Sequence, residues 1–163
     1  MPTIAIGDVH GLTCWKEIIE EHPAHKIVFL GDYLDPYKEL SHTDLMHNLS
    51  EIIALKKASP DDVVLLLGNH DLHYFTSKIN KGSRYDFELA PWAKEIFLAN
   101  RSLFQFAYQD GVYLFTHAGI AQKWFAEAFK GDATRNIANQ LNTPTSEQDA
   151  TLYACEIGRA HVW

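Results

Sequence analysis

The chain has 163 residues, 47% of them apolar, enough for one ordinary domain with a buried core. Its 14 basic and 21 acidic residues give a net charge of −7 spread without runs, which argues against an extensive nucleic-acid-binding surface. Cys14 and Cys155 are far apart and lack CxxC spacing, the N-terminal MPTIAIGDVHG has no basic region before an apolar core, and no run of ~18 apolar residues follows. The expectation is a cytoplasmic protein with no disulfide framework, no cysteine-built zinc site and no membrane partner.

Thr3 to Ile6 is a short apolar run bounded by turn residues and is predicted as a strand. TCWKEIIEEH follows with Trp15, Ile18, Ile19 and His22 at helical spacing, Thr13 as the expected cap and Pro23 as the stop. Ile27 to Leu30 is the second predicted strand. Ser41 is expected to cap a helix through about Ala58, with Leu45, Leu49, Ile52, Ile53 and Lys56 on one face and Ser59-Pro60 at its end. Val63 to Leu67 is the third strand. This alternation favours a parallel or mixed sheet covered by helices, because parallel neighbours need a crossover connection.

Leu72 to Arg84 is polar and carries Gly82 and Ser83, so it reads as an ordered surface loop. Phe87 to Asn100 is predicted helical, with Leu89, Trp92, Ala93, Ile96 and Phe97 facing the core. Leu103 to Tyr108 and Val112 to Phe115 flank Asp110-Gly111 and are predicted as a β-hairpin, which makes the sheet mixed. Helices are expected over Ile120 to Lys130 and Thr134 to Leu141, with a last one after Thr145 or Ser146.

The chemistry collects at the strand ends. GDVHG (7 to 11), GDYLD (31 to 35), GNHD (68 to 71) and THAG (116 to 119) each follow an apolar run. The carboxyl ends of strands form the functional edge of an α/β sheet, so groups at 8, 32, 69 and 117 can converge. Asp8 and His10 sit two apart in an extended segment, so their side chains can grip one cation together. Asp32 can divide its oxygens between two cations, and Asn69 with His117 would complete the second site. Such a donor set suits two divalent ions, Mn2+ first and Fe or Zn2+ as alternatives, better than Ca2+ or a thiolate metal. Two cations ~3.5 to 4 Å apart lower the pKa of a shared water and clamp phosphoryl oxygens. A leaving alkoxide then needs a proton, and His70, oriented by Asp35, is the candidate donor. The competing structural reading is caps and loop turns at strand ends for the five ligand candidates, and an Asx-type turn before Pro36 for Asp35.

Taken together, GDVHG, GDYLD, GNHD and THAG resemble the calcineurin-like metallophosphoesterase superfamily, specifically its phosphoprotein-phosphatase-like branch. The resemblance implies an α/β fold of two mixed β-sheets in a sandwich flanked by helices. It implies Asp8, His10 and Asp32 on one metal, Asp32, Asn69 and His117 on the other, and His70 with Asp35 as the proton-donating pair. THAGIAQKW is also similar to a segment of symmetrical diadenosine tetraphosphate hydrolases. Two departures stand out. Branch members carry an arginine directly after the second-motif aspartate, whereas Pro36 follows Asp35 here; Arg84, Lys38 and Arg101 are candidate substitutes for that substrate-binding cation. A late metal-binding histidine of the family is also unmatched after Gly119, since His161 lies in GRAHVW. EIGRAHVW resembles adapter read-through, so the expectation is a metallophosphoesterase domain over 1–155, incomplete at its C-terminus, and a non-native tail over 156–163.

The expected function is a metal-dependent phosphoesterase acting on phosphate monoesters, in a phosphoprotein or a small molecule. A nucleotide or dinucleoside polyphosphate hydrolase is the alternative within the same chemistry, and a catalytically impaired binding module is the alternative of another class. His22, His25, His42, His47 and His73 are read as surface residues, with His73 close enough to GNHD to stay open. Tyr33 and Tyr37 either flank the mouth of the site or pack loops.

Overall fold

The computed structural model describes residues 1–77, 79 and 81–154. The expected tail at 156–163, with Cys155 and His161, lies outside the described residues. Strands β1 (Thr3–Ile6), β2 (Lys26–Phe29), β3 (Val63–Leu66) and β4 (Phe104–Gln105) form a sheet in that order, each pair parallel. Helices α1 (Trp15–Glu21) and α2 (His42–Ala58) make the first two crossovers, as parallel pairing requires. After β3 come α3 (Asn69–Phe75) and α4 (Ala90–Ala99). Strands β5 (Ala107–Asp110) and β6 (Tyr113–Thr116) pair antiparallel as a separate sheet. A π-helical turn at Trp124–Ala128 and helices α5 (Ile137–Asn142) and α6 (Ser146–Ala154) close the described chain. None of the described helices is long and apolar enough to cross a membrane.

The two-sheet α/β architecture flanked by helices is the one the sequence implied, with strand directions sorted between the sheets. Alternation along the strands builds it. Ile27 and Phe29 of β2 and Val63 and Leu65 of β3 face Trp15 of α1 and Leu45, Leu49 and Ile52 of α2. Val28, Val64 and Leu66 point the other way, onto Tyr108 and Phe115 of the β5–β6 hairpin. Every residue of β3 is buried, as expected of a strand covered on both faces. Ser41 caps α2 as predicted, its side chain accepting from the Asp44 amide. Trp15 Nε1 donates to Asn48 Oδ1 at 2.9 Å, tying α1 to α2.

Several expectations are corrected. Thr13 does not cap α1; Cys14 holds that position with no side-chain hydrogen bond. The segment after GNHD is not a surface loop at its start, because Asn69–Phe75 is helical and its residues 70 to 75 are buried. His73 is therefore buried as well, against the surface reading. The hairpin strand predicted over Leu103 to Tyr108 is divided at Phe106, so that Phe104–Gln105 joins the parallel sheet and Ala107–Asp110 joins the antiparallel one. Trp92 is 43% exposed rather than core, whereas Phe97 is core as expected. Within Ile120 to Lys130 the chain takes a π-helical turn, and the helix placed at Thr134 begins at Ile137 after the cap Asn136.

Candidate metal centre

Parallel pairing sends β1, β2 and β3 out on one edge, and the loops that follow are stitched together by backbone and one carboxylate. His10 and Gly11 donate their amides to the carbonyls of Asp32 (2.7 Å) and Tyr33 (2.9 Å). The Asp71 side chain accepts from the amides of Asp32 (2.7 Å), Tyr33 (2.9 Å) and Gly68 (2.8 Å), joining the loop after β2 to the loop after β3. Burial, then the charge of Asp32, pushes the Asp71 carboxyl well above the usual carboxylate range, against the pull of those three amides. Gly31 (φ 107°) and Gly68 let the two loops touch: a Cβ on Gly31 would lie 2.3 Å from the Gly68 nitrogen, and one on Gly68 would lie 2.2 Å from Asp32 Oδ1. His10, Asp32 and Asp35 all occupy the left-handed region, with φ of 44°, 54° and 59°. His and Asp are among the residues that tolerate it, and these bonds hold it in place.

The result brings Asp8, His10, Asp32, Asn69 and His117 together. His10 Nε2 lies 3.9 Å from Asp8 Oδ2 and 3.8 Å from Asp32 Oδ2. His117 Nε2 lies 3.6 Å from Asp32 Oδ2 and 3.1 Å from Asn69 Oδ1, and its Nδ1 lies 3.9 Å from Asp8 Oδ1. The protons can be placed. Carbonyl oxygens only accept, so His10 Nδ1 donates to Leu34 O (2.8 Å) and His117 Nδ1 donates to Leu30 O (2.9 Å). In the neutral rings each Nε2 is then a bare lone pair facing oxygens that also only accept. Asp32 Oδ1 accepts the His70 backbone amide at 2.8 Å; the acceptors that face one another across the gap share no hydrogen and fit divalent cations, and the Nδ1 anchors are the outer-shell bonds that fix such ligands. Asp8, His10 and Asp32 each offer a ligand atom, all within 4.8 Å of one another.

Asp35 is organised the opposite way. His70 Nδ1 lies 2.7 Å from Asp35 Oδ2, and the Tyr74 hydroxyl donates to Asp35 Oδ1 at 2.5 Å. His73 Nε2 faces Oδ2 at 2.8 Å, at an oblique angle. Arg84 Nη2, which can only donate, sits 3.2 Å from His70 Nε2, so the His70 proton is on Nδ1. Burial alone would raise the Asp35 carboxyl; the bonds from His70, then His73 and Tyr74, outweigh it and hold the carboxyl below its ordinary value. This cluster is saturated with hydrogens, so although Asp35, His70 and His73 also lie within ligand distance of one another, it is built as a hydrogen-bonded hub.

Residues 1–155 match the family described as calcineurin-like phosphoesterase. The chain belongs to this family. Calcineurin-like phosphoesterases are metal-dependent hydrolases that use a dinuclear centre, and the acceptor-only cluster lies where the four strand-end motifs meet. No curated protein matches the chain.

Of the three cations considered as substitutes for the missing arginine, only Arg84 touches a site residue among the described residues. Its guanidinium lies 3.7 Å from the Tyr37 ring centroid, and its buried Nε has no hydrogen-bond partner. Arg101 stacks on Phe75 instead, and Lys38 is exposed. Tyr37 is exposed and meets His10 edge-on at 4.8 Å, whereas Tyr33 is core, its hydroxyl donating to Leu66 O. Sequence reasoning passed over Asp71 and Tyr74 and left His73 open beside its surface reading; the signal was their closeness to GNHD in GNHDLHYF, whose run of bulky side chains suits a buried helix better than a loop.

Proposed function

We propose that this phosphoesterase hydrolyses phosphate monoesters, in the manner of the phosphoprotein-phosphatase-like branch, with two divalent cations and a histidine acid. Asp8, His10 and Asp32 would hold one ion and Asp32, Asn69 and His117 the other, with Mn2+ the expected occupant. When bound, the ions supply activation of the attacking water and neutralise charge on the phosphoryl group. The chain's own residues do the rest. Arg84 is the substrate-gripping cation: its unpartnered Nε and the absence of an ion pair to a carboxylate among the described residues leave its charge free for phosphoryl oxygens. When Arg84 turns to the substrate it releases the lone pair of His70 Nε2, which takes up a proton from solvent to form the imidazolium and passes that proton to the leaving oxygen. Asp35 holds the His70 ring through Nδ1 and balances the imidazolium. The partner is a phosphorylated small molecule or phosphoprotein, and the net charge of −7 disfavours extended nucleic acid.

The observation that carries this reading is the contrast of proton content: five residues turn acceptor atoms toward one another, and beside them one carboxylate is surrounded by donors. A substrate panel of p-nitrophenyl phosphate, phosphopeptide, diadenosine tetraphosphate and cyclic nucleotides, run with Mn2+, Fe and Zn2+, tests it. Turnover of the monoesters, lost on chelation and restored by Mn2+, is expected. Hydrolysis confined to the dinucleotide, or hydrolysis indifferent to chelation, would overturn the substrate or the metal assignment respectively.

A further inference from the structure

We infer that His73 and Tyr74 are positioning residues that hold Arg84 in register with the His70–Asp35 pair; the inference rests on the function proposed above and adds a device within the same site. Each side chain works in two directions. Tyr74 donates its hydroxyl hydrogen to Asp35 Oδ1 at 2.5 Å and accepts the amide of Asp86 at 2.9 Å on the same oxygen. His73 turns Nε2 toward Asp35 Oδ2 at 2.8 Å and accepts the amide of Gly82 on Nδ1 at 3.1 Å. The Gly82 amide can only donate, so the proton of a neutral His73 sits on Nε2, facing the carboxylate.

The two amides so held, at 82 and 86, lie on either side of Arg84, whose backbone takes the left-handed conformation at φ 62°. Rings reinforce the join. Tyr85 stacks on Tyr74 with centroids 4.9 Å apart and planes 19° apart, and His73 meets Tyr85 edge-on at 4.9 Å. A segment carrying a strained residue is therefore pinned at both flanks to consecutive residues of α3, and the pinning atoms belong to the side chains that also fix Asp35. Loosening either of them moves two groups at once: the arginine that would grip phosphate and the carboxylate that aims His70.

Tyr74→Phe is the incisive variant, since it keeps the ring stacked on Tyr85 while removing both hydrogen bonds; His73→Gln removes the Nδ1 acceptor. Inorganic phosphate binding to the Mn2+-loaded protein, measured by calorimetry, reports on Arg84 without turnover. With Tyr74→Phe it is expected to weaken about tenfold, the scale of losing a hydrogen bond to a charged group, and to show no such penalty when Arg84→Gln is already present. In turnover the same variant is expected to raise KM and to depress kcat most for poor leaving groups, the kcat effect vanishing in a His70→Asn background. His73→Gln should act in the same direction. Phosphate affinity, KM and leaving-group dependence all at wild-type values in Tyr74→Phe, with only the melting temperature lowered, would reduce the bridge to a stabilising contact and overturn the inference. If Arg84→Gln itself binds phosphate as wild type does, or His70→Asn has no leaving-group dependence, the proposed function is what fails.

Discussion

Two clusters lie side by side at the carboxyl edge of the parallel sheet, and they differ in where their hydrogens are. Around Asp32, imidazole lone pairs and carboxylate and amide oxygens face one another at 3.1 to 3.9 Å, and the hydrogen that Asp32 Oδ1 accepts comes from the His70 backbone amide at 2.8 Å, not from those groups. Around Asp35, two histidines and a tyrosine bring hydrogens to one carboxylate, at 2.5 to 2.8 Å. Residue type alone does not separate them, because both are built from Asp and His. The direction of each ring does: His10 and His117 spend Nδ1 on backbone carbonyls and leave Nε2 bare, whereas His70 spends Nδ1 on Asp35 itself. A carboxylate among acceptors is a cation frame, and a carboxylate among donors is a proton frame.

The contrast can be broken from either side. Asp32→Asn removes the charge the two ion sites would share, so metal content by mass spectrometry and turnover should fall together to background; retained metal with retained rate would dissolve the cation frame. His70→Asn should keep its metal and slow esters of poor leaving groups by about 10² or more, the usual span for a positioned acid, with activated aryl esters spared. Equal slowing of both ester types would remove the acid role. Gly68→Ala probes the join between the loops, since its Cβ would meet Asp32 Oδ1 at 2.2 Å and Asp32 N at 2.7 Å. Overpacking of that kind costs about 1–3 kcal/mol, readable as a lower urea midpoint together with weaker metal binding.

The smallest effect concerns acid. The folded Asp35 carboxyl lies below its ordinary value of 3.8, so its contribution to stability is present above that value and is lost as pH falls through the lower, folded one. Unfolding free energy from urea titrations should decline below about pH 4, and Asp35→Asn should show a shallower decline. An identical acid limb in both proteins would mean that the three donors contribute nothing through Asp35.

The acceptor cluster was legible in the sequence because each of its members ends or follows a strand: the parallel strands β1, β2 and β3 deliver Asp8, His10, Asp32 and Asn69 to one edge, and His117 arrives from β6 of the antiparallel hairpin. GDVHG, GDYLD, GNHD and THAG named all five residues before any coordinate did. The hub around Asp35 was only half legible. His70 and Asp35 stood in motifs, but His73 lay in a segment read as loop and Tyr74 was passed over, since nothing in local polarity records that a helix of seven residues is buried on every side. Arg84 was one candidate among three, separated from Lys38 and Arg101 only by what each side chain touches.

The sequence by itself determined the strand-helix alternation, the cap at Ser41 and the order of the Asp-, Asn- and His-bearing turns, because these follow from periodicity and from residues adjacent along the chain. Tertiary structure alone decided that Leu103 to Tyr108 divides between two sheets, that His73 is buried, and that Arg84 meets His70 across 14 positions of chain. Those outcomes depend on which surfaces are left to be covered once the parallel sheet has formed, and such competition between distant segments leaves no local mark.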